Sequence, residues 1–318
     1  MANRFTCGVA TLVVLGLLLS ACSSGGDEDT PETVAGIYIT DSIADSIQVF
    51  SVSATGDVAP LRTIAGAATG LASPIGIAVH NVHREIFIAN VNGDSILVFS
   101  SDAYGNIAPK RIIAGVNTQV NDPFDVALDL TNDEVIVAGS SRIVVHERTA
   151  NGDVAPKRII MGGNTAFSSP EAIVVDEPNG EYIVGNMLNN SITVHARLAN
   201  GNVAPLRTIS GASTGLSVPR GLAYDAANGE IIVSNFSAGT VTVFGRTADG
   251  NIAPLRTLTG ANLNDIALDV GAAQYVGVDF VSSIKAWARM ATGAAAPVRT
   301  ITGAQTALGN PTCVSVVR

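Results

Sequence analysis

The chain has 318 residues, of which 47% are hydrophobic and 14% charged, with 32 Gly, 13 Pro and a formal net charge of −9. Charged residues make up about a quarter of an average soluble protein; so few here exclude a disordered chain, a coiled coil and a charged helical bundle. The acidic balance excludes a phosphate-backbone binder, which needs a basic face to release counterions, so no nucleic-acid partner is expected. The 3 cysteines cannot build a disulfide framework.

Residues 1–21 read as a secretory leader. Arg4 supplies a positive start, and residues 8–19 form an apolar run too short for a confident spanning helix. The run Leu19-Ser20-Ala21-Cys22 resembles the lipobox of bacterial lipoproteins. That resemblance implies cleavage before Cys22, a diacylglycerol on its sulfur and an acyl chain such as palmitate on its new amine. Each buried methylene contributes about 0.8 kcal/mol, so two or three chains hold where one is marginal. Ser23 after the Cys implies outer-membrane sorting. Residues 22–34 then form a lipidated, acidic and flexible tether. The expected address is the bacterial cell envelope, facing the periplasm or the surface.

From residue 35 onward the sequence repeats. Ala-Pro-x-Arg recurs with its arginine at Arg62, Arg111, Arg158, Arg207, Arg256 and Arg299, and a Gly stands six residues before each. Each repeat holds four short runs rich in Val, Ile and Phe, punctuated by Gly, Asn, Asp and Pro. In the second repeat these runs are 75–79, 85–89, 95–99 and 110–113. Four strands in 43–49 residues fit a propeller blade. The chain begins with the second strand of a blade (36–40) and ends with the first strand of one (313–317). The two ends therefore complete one blade and close the ring, leaving no inner edge open. The fold expected over 35–318 is all-β: a six-bladed β-propeller with four antiparallel strands per blade, and a monomer.

The stretches Gly36-Ile37-Tyr38-Ile39-Thr40-Asp41, Ser46-Ile47-Gln48-Val49-Phe50 and Pro74-Ile75-Gly76-Ile77-Ala78-Val79 resemble NHL repeats. The resemblance covers about residues 36–317. It implies the fold but not the function, because NHL-like propellers include binding platforms, scaffolds and a few enzymes.

The repeated residues have structural readings. Gly accepts positive φ in the turn between third and fourth strands, and Asp57, Asn106, Asp153, Asn202 and Asn251 beside it bond their own backbone. The Pro interrupts the outermost strand, and the Arg pairs with a neighbouring carboxylate. A second repeated set, Asp41, Asn90, Gly139, Asn186, Asn235 and Asp279, shapes the turn into the third strand.

Residues outside the repeat carry the functional reading. The innermost strands are expected to start at Gly76, Asp125, Ala172, Gly221, Asp265 and Cys313, with Ile75, Phe124, Glu171, Arg220, Asn264 and Thr312 just before them at one channel mouth. Asp125, Glu171 and Asp265 form an acidic cluster with Arg220 as counter-charge, and Met187, Phe236 and Phe280 add apolar walls. Polar groups with apolar walls make a small-ligand site. The loop before Asp265 is half the length of its counterparts and lacks their Pro, which implies a notch in the rim beside Asp265 and Cys313.

Two functions fit. The first is a non-catalytic, lipid-anchored binding or scaffold module for a protein, peptide or glycan, with no cofactor. The alternative is a calcium-dependent hydrolase resembling six-bladed lactonases, with Asp125, Glu171 and Asp265 as oxygen ligands at the mouth. The motifs of those enzymes do not align with this chain, so no catalytic residue transfers. His80, His83, His146 and His195 show no metal-ligand spacing, and no serine-nucleophile motif, phosphate loop or Cys–His pair is present.

Overall fold

The computed structural model describes residues 35–318; the leader, Cys22 and the whole tether lie outside the described residues. Twenty-four strands form six four-stranded antiparallel sheets. Blade 1 comprises β1 (Gly36–Asp41), β2 (Ser46–Phe50), β3 (Arg62–Ala65) and, innermost, β24 (Pro311–Val317). Blade 2 runs outward through β4 (Pro74–His80), β5 (Glu85–Asn90), β6 (Ser95–Ser100) and β7 (Arg111–Ala114). Blade 3 is β8 (Pro123–Asp129), β9 (Glu134–Gly139), β10 (Arg142–Glu147) and β11 (Arg158–Met161). Blade 4 is β12 (Pro170–Asp176), β13 (Glu181–Asn186), β14 (Ser191–Ala196) and β15 (Arg207–Ser210). Blade 5 is β16 (Pro219–Asp225), β17 (Glu230–Asn235), β18 (Thr240–Gly245) and β19 (Arg256–Thr259). Blade 6 is β20 (Asp265–Asp269), β21 (Gln274–Asp279), β22 (Ser283–Ala288) and β23 (Arg299–Ile301).

Each middle strand is buried on both faces, because successive side chains point to opposite sides of the sheet and both sides meet another blade. In β1, Ile37 and Ile39 pack with Val276 and Val278 of blade 6, while Tyr38 packs with Ile86 and Ile88 of blade 2. Six such apolar clusters occur, one at every junction between neighbouring blades. The junction between blades 6 and 1 is of this kind, and β24 pairs antiparallel with β1 from Gly36↔Val317 to Asp41↔Pro311. The ring closes as the phasing requires. Five of the innermost strands start earlier than the sequence reading placed them, at Pro74, Pro123, Pro170, Pro219 and Pro311. Proline is tolerated as a first strand residue, where its missing N–H breaks no ladder.

The repeated phrase holds neighbouring blades together. The turn glycines Gly56, Gly105, Gly152, Gly201 and Gly250 have φ between 74° and 77°, as expected. Their neighbours do not bond their own backbone, however. Asn106 Oδ1 accepts from Ala68 N at 2.7 Å, one blade back, and Asp153, Asn202, Asn251 and Asp57 do the same for Asn117, Asn164, Ser213 and Gln305. The glycine itself adds a parallel bridge: Gly105 N donates to Thr63 O at 2.7 Å. The receiving loop must come close, so it begins with Gly66, Gly115, Gly162, Gly211 or Gly303; a Cβ on Gly66 would lie 2.6 Å from Asn106 Oδ1. The exception supports this reading. Blade 6 has Ala294 in place of Asp or Asn, and it faces the shortened loop after β19, which lacks the short 3₁₀ turn that the other loops present.

The repeated Pro lies just before the outermost strand, not within it. The following arginine makes a bidentate pair with a carboxylate in four blades, Arg111–Glu85, Arg158–Glu134, Arg207–Glu181 and Arg256–Glu230, and Arg299 lies 3.8 Å from Asp269. Each also donates to a carbonyl of the next blade, as Arg256 does to Arg289 O at 3.3 Å. Arg62 and Arg299 keep that inter-blade bond, to Ser101 O and Ala54 O. Arg256 further donates to Tyr275 Oη at 2.6 Å. Truncating it would leave Glu230, only 8% exposed, without its partner. Arg256→Ala should therefore lose about 3–5 kcal/mol in urea unfolding; a loss under about 1 kcal/mol would mean the clasp is ornamental.

Candidate functional site

Six equivalent positions on the innermost strands form a collar in the channel: Cys313, Gly76, Asp125, Ala172, Gly221 and Asp265, going round from blade 1 to blade 6. Glycine then aspartate then a small residue occurs twice, so Asp125 and Asp265 stand in opposite blades. The two halves make matching contacts. Asp125 Oδ2 accepts from Ile173 N of the following blade at 2.8 Å, and Asp265 Oδ2 accepts from Val314 N at 2.9 Å. The glycine on the preceding blade makes room each time. A Cβ on Gly76 would lie 2.5 Å from Asp125 Cα, and one on Gly221 would lie 2.7 Å from Asp265 Cα.

Above the collar lies a cavity of about 260 Å³. Its wall contains Phe124, Asp125, Glu171, Arg220, Phe236, Asp265 and Phe280, which the sequence pointed to. Ile75, Asn264, Thr312 and Cys313 join them as expected. Met187 is not part of this wall; its amide donates to Ser169 O and its side chain is half-buried. Ser42 and Asn310 line the cavity and were missed, because both lie in turns brought there only by ring closure, where Asn310 Nδ2 donates to Ser42 Oγ at 3.0 Å.

The lip is aromatic and cationic. The guanidinium of Arg220 lies 4.6 Å over the Phe236 ring, and Phe236 meets Phe280 at 5.4 Å between centroids. Arg220 Nε is 3.5 Å from Glu171 Oε2, and Ser169 Oγ donates to Glu171 Oε1 at 3.3 Å. The floor is acidic. Burial raises Asp125 well above the usual carboxylate range, with the Asp265 charge adding to it. Burial likewise pushes Asp265 up to about 6, against bonds from Cys313, Val314 and Ile266 that favour its charged form. Cys313 Sγ donates to Asp265 Oδ2 at 2.8 Å, and burial with the two aspartates pushes its thiol well above the ordinary value. It is held as a thiol, and the nucleophile would be the thiolate.

The three acidic residues each have protein partners. Asp125 accepts from Ile173 N and Val126 N on its two oxygens, Asp265 accepts from Val314 N and Cys313 on Oδ2 alone, and Glu171 meets Arg220 and Ser169. This arrangement suits hydrogen bonding and stacking to an inserted group.

Other expected features have structural roles. Asn90, Asn186 and Asn235 accept from Ala72 N, Ser168 N and Ser217 N, pinning the loop before the innermost strand, and their amides donate to Ser95, Thr193 and Thr242 on the third strand. Asp41 and Asp279 shape the turn into the third strand, through Ile43 N and Val281 N. The shortened loop before Asp265 leaves no open notch. It folds inward, burying Ala261 and Leu263, with Leu263 seated against Gly277. His146 and His195 are buried in place of phenylalanines, His195 stacking on Phe167 at 4.8 Å.

No protein-family model matches the chain, and no curated protein matches it in sequence. Among solved structures it is similar to a chain from "Crystal structure of Nidogen/Laminin Complex", at a TM-score of 0.64 and 14% identity, over 89% of this chain and 98% of that one. The likeness shows a β-propeller fold and no more.

The collar predicts a pH dependence. Asp265 titrates near 6 in the folded chain and at the ordinary 3.8 when unfolded, so the folded state holds its proton more tightly. Its stabilising contribution is complete below the unfolded value and is lost as pH rises through about 6. Carboxylates held low, such as Glu85 at about 2, act in the opposite sense and only at lower pH. Relative to Asp265→Asn, the native chain should lose on the order of 2 kcal/mol between about pH 4 and pH 7. Parallel denaturation curves for the two chains across that range would contradict it.

Proposed function

We propose that the chain is a lipid-anchored envelope protein whose propeller is a non-catalytic binding module for a protein, peptide or glycan, one projecting group of which enters the mouth cavity. The observation that carries this reading is the wall itself. Phe236, Phe280, Arg220 and Glu171 break the repeat, and none of them belongs to the clasps that hold the blades together. A partner group can stack on Phe280, which is 49% exposed, and hydrogen-bond to the collar. The neighbour from a nidogen/laminin complex is compatible with a protein ligand. Cys22, lipidated, would hold the propeller to the bacterial outer membrane as a monomer on its acidic tether.

Peptide and glycan arrays probed with the native chain should give ligands that Phe280→Ala and Arg220→Ala each weaken at least about tenfold, since truncating an aromatic or Arg anchor costs roughly 2 kcal/mol or more. Calcium-dependent turnover of a lactone that disappears in Asp265→Asn would replace this reading with the hydrolase. Cys22→Ala should move the chain from the membrane fraction to the soluble one; an unchanged distribution would remove the anchor.

A further inference from the structure

The last residue of the innermost strand is aspartate in four blades: Asp129, Asp176, Asp225 and Asp269. In each, Oδ1 accepts from the amide three residues on, that of Asn132, Asn179, Asn228 or Ala272. In blades 3, 4 and 5 that third residue is asparagine, and its side-chain amide returns to the same carboxylate. Blade 2 replaces both members of the pair with histidine. His80 ends β4, and His83 N donates to His80 Nδ1 at 3.3 Å, a weak copy of the same turn. The two rings lie 4.5 Å apart.

A carboxylate faces them from the neighbouring blade. Asp133 occupies a left-handed turn position, φ 55°, held by Arg84 and Ala273 in blades 2 and 6 and by Gly180 and Gly229 in blades 4 and 5. After glycine, aspartate and asparagine are the residues that take up that backbone most readily. The charges around it are rearranged to match. Arg197, after the third strand of blade 4, pairs with Asp129 of the blade before it. Its counterpart Arg148 finds His80 in that place, and pairs instead with Asp133 and with Glu85. Arg148 Nε binds Asp133 Oδ1 and leaves Oδ2 outside that bond. Ligating carboxylates are commonly held by such an outer partner.

We propose that His80, His83 and Asp133 form a site for a divalent transition-metal ion of the zinc class, at the end of β4 remote from the mouth cavity. Each residue offers one ligand atom, and the three atoms lie within 4.8 Å of one another. Two imidazoles and one carboxylate suit zinc and its neighbours rather than calcium or magnesium, which take oxygen. His83 and Asp133 are exposed, so the turns can tighten onto the ion. Three protein ligands leave a position for water or for a side chain of a partner.

The test is calorimetric titration of the chelator-stripped full chain with zinc chloride, with cobalt(II) absorption as a spectroscopic signature. One equivalent should bind, and zinc should raise the melting temperature. His80→Asp combined with His83→Asn rebuilds the pair that blades 3, 4 and 5 use, so it should fold and lose the site. His83→Asn alone changes an exposed side chain and should weaken zinc at least about tenfold. Absence of zinc binding in the native chain, or unchanged zinc affinity in either variant, overturns the proposal.

Discussion

The structure depends on one constraint: no blade can exist alone. Its middle strands carry apolar side chains on both faces, so each sheet must be covered twice, once by each neighbour. A row of such sheets has two uncovered ends, and only a ring removes them. Blade 1 is therefore assembled from both ends of the described chain, with β24 laid against β1. The apolar junctions supply non-directional attraction. The clasps add direction, because a glycine bridge, an Asx acceptor and an arginine reach from one blade to the next at set positions. The ring is held by burial and placed in register by polar bonds.

Closure also makes the site. Ser42 and Asn310 meet across the junction, and the collar brings Asp125 and Asp265 from opposite blades into one channel. Burial raises both, and the charge of Asp265 adds to the shift of Asp125. Such groups suit recognition by proton-bearing hydrogen bonds. The glycines at Gly76 and Gly221 are part of the same arrangement, since any side chain there would displace an aspartate.

Much of this was legible in the sequence, and for physical reasons. Turn chemistry is local, so Gly56 and its counterparts announced the blade period, and the phase of the first and last strands announced closure. The direction of a side chain across a blade junction is not local. Asp57, Asn106, Asp153, Asn202 and Asn251 therefore looked like self-bonding turn residues, and only the packed ring shows that they cap the loop of the preceding blade. Met187 sits at a position equivalent to Phe236 in its own turn, yet misses the cavity wall. Loop length alone suggested a notch before Asp265, but Leu263 fills the space. The His80 and His83 pair gave no ligand spacing on its own, because Asp133 joins it from another blade. Aligning the repeats against one another, with Asp-x-x-Asn as the reference, is the signal that would have found it.

A closed ring requires β24 to be held against β1 as firmly as the interior strands are held. Chain ends ordinarily fray, and their amides exchange with solvent far faster than those of a core. Hydrogen exchange followed by mass spectrometry tests this on the native chain. Peptides covering β24 and β1 should exchange as slowly as those covering β8, β12 and β16, through the same global opening. Rapid exchange across 311–317 while the other innermost strands stay protected would mean that the ring is not closed by these two strands.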